Sequence, residues 1–540
     1  MQEFRPFDLE GRPLEEQIRS WDELVQEPYD KLTAHPYTRC RVILMNGIEN
    51  GATLFSHAVA RMTQDEECRR KLALVRRLDS QHQQLVNWLN PGNATIVETT
   101  IGYEQVAVDL TANLAQNEPD EYFRQVLDFA LLEDFDHLFR YGCLMELMEG
   151  KDPNEVTQGL TEIKPGRPTA EEHRHPFDEI RRQFDAKSAE LKTKLNYHTI
   201  VNGEQQTMLF YKDHGQMHEN PMARKLYTEI AEIEQQHVSQ YEDCGDPTET
   251  ALEKLTLMQL NEAYLYYSNA QTETDERFKQ IWEQLCEDEI GHFQACAELL
   301  QTMEGRDIHE VLGSDVVPSL IVFEPNKEYV NQVLESQVDL RPLDKDFVRL
   351  QDLPGDWLSF GYMEKVNGKQ APSTLVTEKA EKLDKIPAVA MQTGPGKADI
   401  YERLKKDHEE VKDMFEKIIG GRGDQSKTWD KLSKELTAHE RAEETVFYEP
   451  LKEGDGALEA ALLGYEEHHA ADLFIKELSR NKPGSEQWMA KLQVLEELVL
   501  HHVVEEEGEI FQKAREVIDE DRARKMVSEF QELKKEQMAA

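Results

Sequence analysis

The sequence predicts an all-α protein built from three four-helix bundles, the first two of them copies of one another. Three observations predict it. Apolar residues recur at helical spacing from about Tyr37 onward, punctuated by turn signals. An acid-x-x-His spacing, which sets both side chains on one helix face, recurs at a fixed offset in the N-terminal half. From Ala398 a further helical pattern carries single histidines and His-x-x-x-Glu pairs on successive helices.

Composition bounds the class. The chain has 540 residues, enough for three or four domains, each with its own core. Hydrophobic residues make up 39% and charged residues 31%, the balance of a soluble globular chain. A formal net charge of -44 argues against nucleic acid or an anionic membrane as a partner. Met1-Gln-Glu-Phe-Arg-Pro lacks the apolar core of a signal peptide, and no run of about 18 apolar residues is present to span a membrane. Cys40, Cys68, Cys143, Cys244, Cys286 and Cys296 form no C-x-x-C pair. That argues against a rubredoxin-type or zinc-ribbon module and for buried thiols in a reducing cytoplasm.

Residues 1–37 read as a polar N-terminal segment with a short helical piece at Trp21-Asp-Glu-Leu-Val. A first helix carries Arg41-Val-Ile-Leu-Met-Asn-Gly-Ile-Glu49 and ends near Thr63. A second runs through Asp79 and His82 to Trp88-Leu-Asn, where Pro91-Gly-Asn stops it. The third contains Tyr103-Glu104 and ends at Asn117-Glu-Pro-Asp. The fourth carries Asp134 and His137 and ends at Glu149-Gly150. Glu49 and Asp79 lie about 15 residues either side of their turn, as do Glu104 and Asp134, while His82 and Glu104 lie about ten from the Pro91 turn. At about 1.5 Å per residue these groups share one height. Facing helices would then gather Glu49, Asp79, His82, Glu104, Asp134 and His137 into one layer. Carboxylates and imidazoles meeting inside a bundle are costly unless a cation neutralises them. A glutamate from each of two helices plus acid-x-x-His from the other two is the ligand set for a pair of iron or manganese ions.

The spacing alone proves little, since 106 acids and 18 histidines give about three or four acid-x-x-His hits by chance. Placement carries the signal. Asp79/His82 and Glu234/His237 are 155 residues apart, and so are Asp134/His137 and Glu289/His292. Phe184-Asp185 echoes Tyr29-Asp30, Glu204-Gln-Gln-Thr-Met-Leu-Phe echoes Glu49-Asn-Gly-Ala-Thr-Leu-Phe, and Met303-Glu-Gly-Arg-Asp echoes Met148-Glu-Gly-Lys-Asp, all at that offset. Glu104 is matched by Gln259, but Glu262 lies one turn further on and can reach the same centre. The second set is therefore Glu204, Glu234, His237, Glu262, Glu289 and His292. Glu172/His175 has the same spacing but sits beside Pro168 and Pro176, and reads as a solvated linker.

On these residues the two copies, roughly 38–150 and 190–305 within segments 38–165 and 166–305, resemble ferritin-like di-iron bundles of the rubrerythrin type. The resemblance implies a carboxylate-bridged di-metal site that reacts with peroxide or dioxygen. The chain departs from rubrerythrin proper in lacking a rubredoxin module, which leaves the electron donor unidentified. The link after His82 is shorter than the crossover usual in such bundles, so an up-down-up-down order is open.

Residues 306–398 differ. Pro325, Pro342, Pro354-Gly, Pro372, Pro387 and Gly394-Pro-Gly mark an irregular connector with short helices, whose Trp357, Phe360 and Tyr362 require burial against a neighbour. Residues 399–540 return to four or five helices, broken at Gly420-Gly-Arg-Gly, Gly454-Asp-Gly and Lys482-Pro-Gly. His439 and Glu443 share a face of the second helix, and His502 and Glu506 share one of the fourth. His408 and His468 are single histidines on the other two, with His469 and His501 as alternatives. His439-Glu-Arg-Ala-Glu-Glu-Thr-Val-Phe-Tyr-Glu-Pro and His501-His-Val-Val-Glu-Glu-Glu-Gly-Glu-Ile-Phe resemble the hemerythrin (HHE cation-binding) domain. That resemblance implies a histidine- and carboxylate-bridged di-iron centre for dioxygen, peroxide or nitric oxide. Oxygen-carrying hemerythrins have a second histidine four residues on in the third helix. Here that residue is Asp472, which implies a redox or sensing centre rather than a reversible carrier.

The expectation is a cytoplasmic non-haem di-iron oxidoreductase, with up to three iron (or manganese) centres per chain, reducing peroxide or dioxygen in oxidative-stress defence. The alternative is a binding protein for iron storage or for sensing oxygen, nitric oxide or redox state. A homodimer, with the Gln259 copy as a metal-free scaffold, is a third reading.

Overall fold

The structure is a computed structural model that describes residues 3–336, 338–341, 346–349, 352–384, 400–420, 425–452, 458–518 and 520–539. The chain divides into two units, Met1–Lys385 and Ile386–Ala540. Among the described residues both are helical almost throughout, as the all-α reading expects, with one short hairpin in the first. Among the described residues no helix is long and apolar enough to cross a membrane. The six cysteines are buried, and none is in a disulfide.

The first unit holds eight long helices: α1 (Pro36–Met62), α2 (Glu66–Trp88), α3 (Ile96–Gln116), α4 (Glu121–Glu149), α5 (Leu191–His214), α6 (Pro221–Glu242), α7 (Ala251–Thr272) and α8 (Glu276–Glu304). Their ends are set by local chemistry. Asp65, Asp120 and Asn220 accept backbone N–H groups at helix starts. Thr95 with Glu98, and Thr250 with Glu253, form reciprocal capping boxes at the repeat-related starts of α3 and α7. Gly150 and Gly305 end α4 and α8 in the left-handed conformation, at φ 61° and 68°, which glycine adopts without a Cβ penalty.

The two copies do not form two separate bundles, which corrects the grouping read from the sequence. Helices α1 and α2 of the first copy pack with α7 and α8 of the second, and α3 and α4 pack with α5 and α6. The link between α2 and α3, residues 89–95, excludes a crossover. Seven residues span at most about 25 Å, whereas a 23-residue helix such as α2 is about 35 Å long. The second hairpin packs with the other copy, as in a swapped dimer fused into one chain. The exchange pivots on α1 and α5, which pack on each other. A Cβ on Gly47 would lie 2.7 Å from Cβ of Gln206, and one on Gly51 would lie 2.5 Å from Cγ of Asn202. Asn202 and Gln206 are the 155-offset partners of Gly47 and Gly51, so small and amide residues interlock across the pseudo-twofold axis. The main apolar core runs through both copies, from Val42 and Ile48 to Leu257 and Ile290.

The connector packs on this unit as far as it is described. Helix α9 (Lys327–Ser336) lies on α4, and α11 (Pro372–Asp384), which follows α10 (Leu358–Asn367), lies on α4 and α6. Between α9 and α10 a short antiparallel hairpin pairs β1 (Val338–Arg341) with β2 (Asp346–Arg349). Trp357 is buried against the Arg174 guanidinium, 5.0 Å from the ring centroid, but Phe360 stays exposed. The signals read at Pro342, Pro387 and Gly394-Pro-Gly lie outside the described residues.

The second unit packs α12 (Ile400–Ile419), α13 (Gln425–Glu443), α14 (Leu458–Ser479) and α15 (Glu486–Glu505) around apolar layers that include Phe415, Trp429, Leu432, Trp488 and Leu492. A further long helix, α16 (Glu520–Ala539), lies on α12 and α13. The breaks read at residues 421–423 and 454–456 lie outside the described residues. One local feature was not legible in the sequence. Residues Glu444–Tyr448 and Glu506–Ile510 are π-helical, the first beginning directly after the candidate ligand Glu443 and the second at the candidate ligand Glu506. Such π turns are frequent where a helix carries functional groups.

Candidate metal centres

Exchange of the hairpins redistributes the sequence-predicted residues without scattering them. The first centre gathers Glu49 of α1, Asp79 and His82 of α2, Glu262 of α7, and Glu289 and His292 of α8. His82 Nδ1 lies 2.7 Å from Glu289 Oε1 and 3.5 Å from Glu49 Oε1. His292 Nδ1 lies 2.9 Å from Asp79 Oδ1 and 3.1 Å from Glu289 Oε2. The amide of Gln259 donates to Glu262, so the residue matching Glu104 steadies the carboxylate one turn on.

The second centre gathers Glu104 of α3, Asp134 and His137 of α4, Glu204 of α5, and Glu234 and His237 of α6. His137 Nδ1 lies 3.0 Å from Glu234 Oε1. His237 Nδ1 lies 3.3 Å from both Asp134 Oδ1 and Glu234 Oε2, and 3.7 Å from Glu204 Oε2. The spacing in the sequence grouped Glu49, Asp79 and His82 with Glu104, Asp134 and His137. The structure parts these two triads and gives each the equivalent half of the other copy. None of the twelve side chains is more than 2% exposed.

The electrostatics are those of an acid-rich cluster: against burial, the facing carboxylates hold His82, His137 and His237 well above the usual histidine value and His292 up to about 10. Burial, followed by the charge of Glu289, pushes Glu49 up to about 7, and burial pushes Glu204 up to about 8. Burial likewise raises Glu104, Asp134 and Glu262. Burial also opposes ionisation of Glu289, yet the His292 charge and the hydrogen bond from His82 bring it down to about 2. Several donors to a metal are buried here with no hydrogen-bond partner: both oxygens of Asp79, Asp134 and Glu204, one each of Glu49, Glu104, Glu234, Glu262 and Glu289, and Nδ1 of His237 and His292. Buried polar groups are nearly always paired. Unpaired oxygens and nitrogens converging on one point fit a pair of cations, and groups of three or four of these atoms lie within 4.8 Å of one another.

The outer nitrogen of each histidine is held from behind, and these residues were not anticipated. His82 Nε2 lies 3.3 Å from Asp288 Oδ2, and His237 Nε2 lies 2.7 Å from Glu133 Oε2. His137 Nε2 lies 3.1 Å from Glu172 Oε2, and His292 Nε2 lies 2.7 Å from Gln17 Oε1. Glu172, read from the sequence as a solvated linker, is fully buried, because its proline-bounded segment lies over the cluster instead of in solvent. The N-terminal segment does the same over the first centre: Arg19 pairs with Asp288 at 2.5 Å, as Arg174 faces Glu133 at 3.8 Å. The sequence does carry a signal for these supports. Gly11-Arg-Pro and Gly166-Arg-Pro, Gln17 and Glu172, and Arg19 and Arg174 all keep the 155-residue offset. Two tyrosines also reach the centres: Tyr266 donates to Glu49 at 2.6 Å, and Tyr211 donates to Glu104.

In the second unit His408, His439, Glu443, His468, His502 and Glu506 converge. His439 Nε2 and His468 Nε2 lie 3.2 and 3.5 Å from the same oxygen of Glu443, which places that carboxylate between two groups of histidines. His408 Nε2 lies 3.2 Å from Glu506 Oε2, and Tyr448 donates to Glu506 Oε1 at 3.2 Å. His468 and His502 face each other, Nε2 to Nε2, at 2.9 Å. Again each outer nitrogen meets a carboxylate: Glu507 at His408, Asp407 at His439, Glu444 at His468 and Glu467 at His502, between 2.7 and 3.4 Å. Lys534 of α16 holds Asp407 at 2.8 Å. His469 and His501 are exposed, which removes them as alternatives. Asp472 is paired with Arg441 at 2.8 Å. A cavity of about 30 Å³ borders all four histidines and is otherwise largely apolar, with Val411, Leu436 and Val499 among its walls. That is room for about one water-sized molecule.

Residues 399–514 match the family model of the hemerythrin HHE cation binding domain. The comparisons with curated proteins and with solved structures returned no match. The chain therefore carries a hemerythrin HHE cation-binding domain at residues 399–514, preceded by a helical unit of internally repeated sequence.

Proposed function

We propose that the chain is a non-haem iron protein whose three clusters each hold a pair of iron ions, and that it reduces peroxide or dioxygen. The observation that supports this most is the polarity of the histidines. In the first unit each Nδ1 turns toward the other inward groups and each Nε2 is backed by a carboxylate or amide. A metal-bound histidine is held in this way: the outer hydrogen bond fixes the ring and raises its basicity. A packing histidine would pair its inner nitrogen as well, whereas Nδ1 of His237 and of His292 has no hydrogen-bond partner.

Bound iron would supply the electrons, two per pair. The chain's residues do the rest. Glu49, Asp79, Asp134, Glu204, Glu234, Glu262 and Glu289 balance cationic charge in a dry core, and the buried helices exclude water. The Tyr266 and Tyr211 hydroxyls hold Glu49 and Glu104, and place an O–H donor beside each centre. In the second unit Tyr448 does the same at Glu506, and the small apolar-walled cavity admits a diatomic or peroxide-sized molecule. Manganese suits the same donors.

A second reading is favoured by that cavity and by the Asp472–Arg441 pair: the C-terminal domain binds dioxygen or nitric oxide as a sensor. One experiment tests the two together. Anaerobic iron loading followed by stoichiometric addition of peroxide separates them. Oxidation of the iron with peroxide consumed supports the reductase. Spectral change with dioxygen or nitric oxide confined to the C-terminal domain, and no peroxide consumption, supports the sensor.

A further inference from the structure

The two centres of the first unit are related by the repeat, yet the groups behind their histidines differ. Behind His82, His237 and His137 stand the carboxylates of Asp288, Glu133 and Glu172. Behind His292 stands an amide, Gln17, at 2.7 Å. The orientation of that amide is fixed. Its Nε2 donates to the carbonyls of Arg12 at 2.8 Å and Asp288 at 3.1 Å, so its oxygen is the atom that faces the imidazole. The inward sets each carry four carboxylates and two histidines and differ in that Glu262, held by Gln259, stands in for Glu104; the difference in formal charge lies in the outer layer, where Gln17 matches Glu172.

An imidazole that donates its outer N–H to a buried anion gains imidazolate character and gives more charge to a metal than one that donates to a neutral amide. The richer donor favours the ferric over the ferrous ion. We propose that Glu172 and Gln17 set the two centres at different reduction potentials, the Glu172-backed centre being the lower. Electrons entering the unit then collect first at the centre of His82 and His292. The inference rests on the reading that both clusters hold iron.

The test is a reductive titration of the iron-loaded full chain, followed by Mössbauer or electron paramagnetic resonance spectroscopy, with iron content measured on each sample. Two first-unit waves are expected. Glu172→Gln is expected to raise the lower wave by about 59 mV, a tenfold change in the ferric-to-ferrous preference, and to leave the other in place. Gln17→Glu is expected to lower the higher wave by a similar amount. The C-terminal centre is an internal reference that neither substitution moves. Full iron content with coincident waves, or with waves that ignore both substitutions, overturns the inference while leaving the iron reading intact. Absence of iron from the first unit overturns both.

Discussion

At the scale of single residues, the inward ligands were legible and their supports were not. Asp79, His82 and their repeat partners announce themselves because a metal needs particular side chains at helical spacing. Glu133 and Asp288 are acids beside ligand acids in a chain rich in acids, and only the fold shows that they turn to the opposite side, behind a histidine of another helix. Such supports are worth about 10–100-fold in metal affinity. Glu133→Gln is therefore expected to weaken metal binding by that factor at the His237 centre and to leave the His82 centre unchanged, as isothermal titration with ferrous iron would show. Asp109 makes a different prediction. It is buried at the α3 face, accepts from Thr161 at 2.6 Å, and burial pushes it up to about 7. Its unfolded value is about 3.9. A raised folded value means that stability is complete below about pH 4 and falls as pH rises toward 7. The gap corresponds to roughly 4 kcal/mol at about 1.4 kcal/mol per pH unit. Asp109→Asn is expected to flatten this part of the stability curve in urea unfolding at pH 5 and pH 8. An unchanged slope would show that Asp109 does not carry it.

At the scale of elements, helix limits were readable because their signals are local: the Thr95–Glu98 box, the Pro91-Gly-Asn stop and the glycine caps act within a turn or two. Partnership was not readable. Helical periodicity says which face is buried but not which helix covers it, and both copies offer equivalent faces. The short link excludes a crossover but leaves an up-down-up-down bundle open, and the exchange goes with the close approach of α1 to α5. Gly47 and Gly51 permit that approach, and a side chain there must displace Gln206 or Asn202. Gly47→Leu is expected to cost about 1–3 kcal/mol by overpacking, read as a lower midpoint in thermal unfolding of the first unit. A neutral result would mean that α1 and α5 have room between them for a leucine side chain. The π turns that follow Glu443 and begin at Glu506 belong here too. An aromatic stands nine residues after His439 and after His502, Tyr448 and Phe511, but an extra residue per turn leaves no compositional trace.

At the scale of the whole molecule, the repeat was the strongest signal in the sequence, and it is also what obscured the assembly. A 155-residue offset shows two copies without showing whether they stand apart or exchange halves. The exchange has a consequence: neither copy gathers its six-residue cluster alone, so the first unit must fold as one body before either cluster forms. The C-terminal domain is the contrary case. Its four histidines and two glutamates fall in chain order on successive helices and meet as the spacing indicated.

Metal content of paired histidine variants tests the exchanged centres most directly. Full chain loaded anaerobically with ferrous iron should hold about six ions, a pair at each of three centres. His82→Ala and His292→Ala should each lose the same pair, and the double variant should lose no more than either alone. His82→Ala combined with His137→Ala should lose two pairs. If instead the His82/His137 double variant loses only one pair while the His82/His292 double variant loses two, each copy builds its own centre and the exchange of halves is contradicted.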